Sequence, residues 1–321
     1  MLLPYFMDFQ TKIPLVKQTT NLIDYNANVL LLGSCFSENI GEKLNAFKFK
    51  NTQNPFGILF HPKAIELLIS RALDDQEFID KDVFFYNECW HCYMAHSKLS
   101  HVSKPVLLNQ LNQALFLLKE QLKKASHIII TLGTAWVYQH KNTQLTVANC
   151  HKVPQKHFNK YLLSVKDASG SISALVNKIK LGNPKASILF TVSPVRHIKD
   201  GFVENMQSKS HLLAAIHQNV TQGVFYFPSF EIMMDELRDY RFYKQDMIHP
   251  NATAINYIWS RFKDTWVHTN AFNTMKTVQD VQNGLSHKAF NPTSTAHLQF
   301  LEKLELKIDK LTEAFPHMSF K

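Results

Sequence analysis

The chain has 321 residues, 45% apolar and 19% charged, a balance that excludes a wholly disordered protein. It suits one large α/β domain with extensions or two small domains. Thirty-five Lys and Arg against 26 Asp and Glu give a formal charge of +9, but the basic residues are scattered in short pairs such as Lys123-Lys124. The dense basic stripe with interleaved aromatics of a nucleic-acid binder is missing.

The opening stretch MLLPYFMDFQTK lacks the basic and apolar regions of a signal peptide, and no run approaches the roughly 18 apolar residues of a membrane helix. Four cysteines (Cys35, Cys89, Cys92, Cys150) in a chain this long make no disulfide framework. The expectation is a reduced, cytoplasmic protein with no nucleic-acid or membrane partner, its oligomeric state open.

Asn28 to Leu32 is a short continuous apolar run, as in a strand buried on both faces. It ends at Gly33, and Ile40, Leu44 and Phe47 space the apolar face of a following helix. Asn54-Pro-Phe-Gly57 reads as a loop after a short extended segment, and residues 62–73 as a helix with Pro in its first turn. Residues 78–105 are aromatic-rich and irregular. Residues 108–124 form an amphipathic helix with basic residues at its C-terminal end.

His127 to Leu132 is a second buried strand, closed by Gly133. Residues 139–160 read as an inserted polar loop, and 170–180 as a helix. Ala186 to Val192 is a third strand, closed by Ser193-Pro194, with a helix at about 205–219. Val224 to Phe227 is a fourth strand, followed by helices near 230–237 and at about 252–267. Strands alternating with helices predict a parallel, doubly wound sheet. Residues 270–290 have weak pattern, whereas Leu298, Leu301, Leu304 and Leu311 predict a C-terminal helix over 294–315. The expected organisation is a domain over 1–268 and a helical extension over 269–321.

In open α/β sheets ligands bind outside the carboxyl ends of the strands, and each chemical candidate follows a predicted strand or precedes the last core helix. Gly33-Ser34-Cys35 offers a hydroxyl and a thiol at a helix N-terminus, where N–H groups favour a thiolate or an oxyanion. A small-residue turn holding an inert cysteine has the same sequence. Asp246-x-x-His249-Pro250-Asn251 lets a carboxylate fix the histidine tautomer and leave Nε2 as a base, although a surface Asp and His read alike.

Gly133-Thr134 and Asn54-Pro55-Phe56-Gly57 are candidate oxyanion donors, and His96 could line a pocket. Arg196 could hold a substrate anion or pair with an acid such as Asp200 or Glu204. Cys89-Trp-His-Cys92 is at most half a zinc site, because no second pair follows at finger spacing; no metal and no cofactor are expected.

Val29-Leu-Leu-Leu-Gly-Ser-Cys-Phe-Ser37, Asn54-Pro-Phe-Gly57, Thr191-Val-Ser-Pro-Val-Arg-His197 and Asp246-x-x-His-Pro-Asn251 together resemble segments of the GSCFA family, over roughly residues 20–265. That family looks like a branch of the SGNH/GDSL hydrolases. The resemblance implies an α/β three-layer doubly wound sandwich with a mainly parallel sheet. It puts Cys35 where the nucleophilic Ser of the G-D-S block would stand, Ser34 where the Asp would stand, and the last block on Asp246 and His249. The Gly block falls on Gly57. The G-x-N-D block falls on Gly133-Thr134-Ala135-Trp136, with Ala135 in place of the oxyanion Asn. The implied activity is ester cleavage or acyl transfer, on a small-molecule or carbohydrate ester. The nucleophile is Cys35, with Ser34 the variant choice; the alternative is a decayed hydrolase scaffold that only binds.

Overall fold

The computed structural model describes residues 10–320, so the opening residues up to position 9 lie outside it. Five strands form the central sheet: Val29–Gly33, Asn51–Gln53, His127–Leu132, Ser187–Val192 and Val224–Tyr226. Every neighbouring pair is parallel. In chain order the spatial sequence is 2-1-3-4-5, the doubly wound arrangement whose direction reverses between the first and third strands. Gly33 lies opposite Thr131 at that reversal, so the turn after Gly33 and the loop after Leu132 open at the same carboxyl edge.

Three strands, those opening at Val29, His127 and Ser187, are buried throughout, which is why they read as continuous apolar runs. Their residues divide by alternation between two cores. Leu30, Leu32, Ile128, Ile130 and Phe190 pack under helices Pro62–Leu73, Lys104–Lys124, Val165–Gly182 and Phe202–His217. Val29, Leu31, Ile129 and Leu189 pack on the other face against helices Cys35–Ala46, Ala252–Trp266, Ala271–Ser286 and Thr295–Ala314. Helix, sheet and helix thus make three layers.

Three segments depart from expectation. The polar stretch 139–160 is not a loop: Trp136–His140 pairs antiparallel with Thr146–Val147 and with Phe158–Leu162 in a separate three-stranded sheet. Residues 271–286, weakly patterned in sequence, form a helix that buries Ala271, Met275, Val278 and Val281 in the same core as helix Ala252–Trp266. The helix expected near 230–237 is a short α turn, Ser229–Glu231, running into a π turn, Ile232–Glu236. Among the described residues no helix is long and apolar enough to cross a membrane.

His61 caps helix Pro62–Leu73, its Nδ1 accepting from Ala64 N at 3.1 Å while its Nε2 lies 3.0 Å from Val147 O. Burial lowers its pKa from 6.5 to about 4, and burial likewise lowers that of His151 to about 4. Between those values and 6.5 the unfolded chain binds protons that the folded chain does not. This contribution is therefore intact above about pH 6.5 and is lost as pH falls through 4. Tm is expected to drop by at least about 5 °C between pH 7 and pH 4. His61→Asn, which gains no proton, should lose less over that interval; equal losses in thermal melts would contradict the assignment.

Candidate active site

The first strand ends at Gly33 with φ +126°, a conformation that L side chains rarely adopt. A Cβ there would stand 2.1 Å from Thr131 O. Ser34 follows as the N-cap of helix Cys35–Ala46: it is fully buried, its N–H donates to Thr131 O at 3.0 Å, and its Oγ accepts from Phe36 N at 3.3 Å. The Ser34 hydroxyl thus has a structural task. Cys35, the first residue of the helix, is half-buried with a free thiol.

The helix N-terminus was expected to make that thiol more acidic, and the opposite holds. Burial raises the Cys35 pKa, Glu38 raises it further, and the lowering contributions of its own backbone N–H, Lys209 and Lys244 are smaller than the burial effect. Cys35 therefore carries its proton at neutral pH and would need a base to react.

Asn54 Oδ1 accepts from Gly33 N at 2.8 Å, which fixes the amide so that Nδ2 is the donor end. Asn54 is 8% exposed, and its Nδ2 is buried without a hydrogen-bond partner. Asn54 itself has φ +39°, and its carbonyl accepts from Gly57 N at 2.7 Å. Gly57 therefore has no N–H to offer an oxyanion. What Gly57 supplies is room, since a Cβ there would stand 2.5 Å from His96 Cβ. His96 donates its own N–H to Phe56 O and accepts from Lys98 N on Nδ1. Its pKa is lowered chiefly by burial, opposed by Glu38, so Glu38 acts on both His96 and Cys35.

The loop after Leu132 is equally committed. Gly133 N and Thr134 N both donate to Phe60 O, at 2.7 and 3.1 Å. Thr134 Oγ1 accepts from Trp136 N and lies 3.0 Å from Ser208 Oγ, which also accepts from Ala135 N. The expected roles of Gly133 and Thr134 as oxyanion donors do not fit this bonding; they fasten the loop instead.

Beneath that loop lies a group the sequence reading missed. Lys209, 1% exposed, donates from Nζ to Gly133 O at 2.7 Å and to Ser193 O at 2.8 Å. The available signal was a polar stripe on the inner face of helix Phe202–His217, where Asn205, Ser208 and Lys209 are buried with Leu212. Asn205 Oδ1 accepts from His197 N. The His197 ring stands edge-on to Phe60, and its Nε2 is buried without a hydrogen-bond partner. Burial, then Lys209 and His249, lower the His197 pKa to about 3, so this ring is neutral.

Asp246 Oδ1 accepts from the N–H groups of Ile248 and His249 at 2.9 and 3.0 Å, and Oδ2 lies 2.7 Å from His249 Nδ1. The two backbone donors, then the His249 side chain, lower the Asp246 pKa to about 2. An ionised carboxylate can only accept, so Nδ1 carries the proton and Nε2 is the bare nitrogen. Arg196 braces this loop: its N–H donates to Ile248 O at 3.3 Å, Nη1 reaches Met247 O at 3.5 Å, and the guanidinium lies 4.2 Å from the centre of the Tyr243 ring. Asp200, one acid expected to partner it, pairs with Lys160 instead.

The C-x-x-C segment lies elsewhere. Cys89 sits on a short hairpin strand, Cys89–His91, and buried Cys92 has its pKa raised to about 12, chiefly by burial. His91 and His151 share the Ser100 hydroxyl, and His151 Nε2 lies 2.7 Å from Cys92 O. Among the described residues no group of three or more His, Cys, Asp or Glu is placed to hold a metal ion.

Sheet order and edge chemistry define a doubly wound α/β protein with a protonated cysteine, a buried lysine and a carboxylate-oriented histidine at the carboxyl ends of its strands. The chain belongs to the GSCFA family: that family's profile matches residues 28–262, and the profile of the GSCFA domain protein C-terminal domain matches residues 278–321. The second match falls within the C-terminal stretch that the motif resemblance did not reach. None of the curated proteins matches the chain. Solved structures similar to it include a carbohydrate esterase family 3 from Talaromyces cellulolyticus and an acetyl esterase mutant with acetate ion. Each is 10% identical with a TM-score of 0.36, covering 79% of this chain and 99% of its own.

Proposed function

We propose that the protein is an acyl-ester hydrolase or acyltransferase of the SGNH/GDSL type, acting in the cytoplasm on a small-molecule or carbohydrate ester through Cys35, His249 and Asp246. His249 Nε2 takes the Cys35 proton as sulfur attacks the ester carbonyl carbon. The tetrahedral oxyanion collapses, the C–O bond breaks, and the imidazolium returns its proton to the leaving alkoxide. Water then cleaves the thioester for hydrolysis, or a second alcohol takes the acyl group. Asp246 holds the ring and steadies its positive charge. The choice of substrate rests on the family resemblance alone.

The observation that carries this reading is the Asn54 amide: a buried donor without a partner, aimed by its bond to Gly33, beside the turn that presents Cys35. With the Cys35 N–H it supplies the oxyanion donors that Ala135 cannot. Asn54→Asp keeps the oxygen that Gly33 needs and removes the donor. It is expected to lower kcat on a short-chain p-nitrophenyl ester by about 100-fold, with the fold intact by circular dichroism. An unchanged kcat would remove Asn54 from the mechanism. The rival reading, a scaffold that only binds, draws on the committed N–H groups of Gly57, Gly133 and Thr134. It is favoured if the wild-type protein hydrolyses no member of an ester panel and reacts with no ester probe at Cys35.

A further inference from the structure

The Lys209 ammonium is the most deeply buried cation at the carboxyl edge of the sheet, and the ester mechanism does not use it. An ammonium has three N–H bonds. Two go to Gly133 O and Ser193 O, the carbonyls of the residues that follow the third and fourth strands, and the third has no acceptor among the described residues. Register brings this floor next to the cysteine. Gly33 is opposite Thr131 and Ser34 N donates to Thr131 O, so the turn that presents Cys35 is fastened to the strand that runs on, two residues later, to the Gly133 carbonyl holding Lys209. A buried cation costs several kcal/mol unless something compensates it, and two carbonyl dipoles compensate it only in part.

We propose that Lys209 is a positioning residue of the Cys35 site: it ties the two strand ends into one floor and holds a positive charge for the anion that forms at Cys35. The proposal rests on the reading that Cys35 is the reactive atom. Cys35 is faced by Glu38 from its own helix, by Lys209 from helix Phe202–His217 and by Lys244 from the loop ahead of Asp246. Lys209 is in turn faced by His197, and His197 by His249. Burial draws Lys209 towards neutrality, to a pKa of about 7, and negative charge at Cys35 draws the proton back. Thiolate formation and Lys209 protonation are therefore linked, each favouring the other.

The test needs no ester. The rate of Cys35 alkylation by iodoacetamide, read on its own peptide by mass spectrometry, is followed against pH in wild type, Lys209→Met, Lys209→Arg and Glu38→Gln. The half-maximal pH is expected to be about one unit lower in Lys209→Arg, whose charge persists at every pH, than in Lys209→Met, with wild type close to Lys209→Met because Lys209 has lost its proton in that range, and to fall in Glu38→Gln. Coincident curves for Lys209→Arg and a folded Lys209→Met would overturn the proposal and leave Lys209 a structural tie.

A second measurement covers a Lys209→Met that does not fold. Wild-type Cys35 is carboxymethylated with iodoacetate, which fixes a negative charge, or carboxamidomethylated with iodoacetamide, which adds a neutral group of similar size. Lysine NMR should show the most acidic lysine titrating at higher pH in the first adduct than in the second; equal titrations would overturn the proposal. Neither readout depends on turnover, so ester hydrolysis can fail while the linkage stands, and the linkage can fail while hydrolysis stands.

Discussion

Cys35→Ala is expected to lower kcat/KM for ester cleavage by at least about 1000-fold, while Ser34→Ala keeps turnover and costs about 1 kcal/mol of stability. The two side chains are adjacent, and the fold gives them different tasks. Ser34 Oγ caps helix Cys35–Ala46 through Phe36 N and is fully buried, so its loss removes a cap. Cys35 opens the helix, is half-buried, and shares the carboxyl edge with the His249–Asp246 pair. Steady-state kinetics with a p-nitrophenyl ester and urea denaturation of both variants separate the roles. Full activity in Cys35→Ala, with loss in Ser34→Ala, would move the nucleophile to the hydroxyl.

Gly33→Ala is expected to destabilise the fold by at least about 3 kcal/mol, enough to leave much of the protein unfolded or insoluble. Two effects add. The backbone at Gly33 has φ +126°, strained for any L side chain, and the new Cβ would lie 2.1 Å from Thr131 O. That carbonyl belongs to the neighbouring strand and accepts from Ser34 N, so it cannot retreat without opening the sheet at its reversal point. A flexible side chain could give way; a strand cannot. Denaturant titration measures the loss, and a midpoint equal to wild type would show that the turn tolerates a side chain.

The central strands were legible because a strand buried on both faces is apolar along most of its length, as at Ile128, Ile129 and Ile130, with polar residues such as His127 and Thr131 near its ends. Helix Ala271–Ser286 was not. Its buried stripe of Ala271, Met275, Val278 and Val281 is thin, with asparagine and glutamine between and Gly284 just beyond. The antiparallel sheet over 136–162 was missed for a related reason: strand Phe158–Leu162 buries little beyond Phe158, so no alternation betrays it.

At the site, Asp246 and His249 were legible because their spacing of three lets one loop close the hydrogen bond. Gly57, Gly133 and Thr134 were misjudged as donors because sequence shows which residues have N–H groups, never where those groups are already bonded. Lys209 was invisible for the converse reason: a lysine on a helix reads as solvent-facing until its partners, Gly133 O and Ser193 O, are seen to come from two other segments.

The most direct test of the central claim is acid-quenched mass spectrometry of the wild-type protein mixed with an excess of p-nitrophenyl acetate. The account predicts one acetyl group on the peptide bearing Cys35, labile to hydroxylamine as a thioester is, and strongly reduced in His249→Ala. Acetylation that ignores His249, or an adduct on Ser34 with Cys35 unmodified while the ester is turned over, would contradict it.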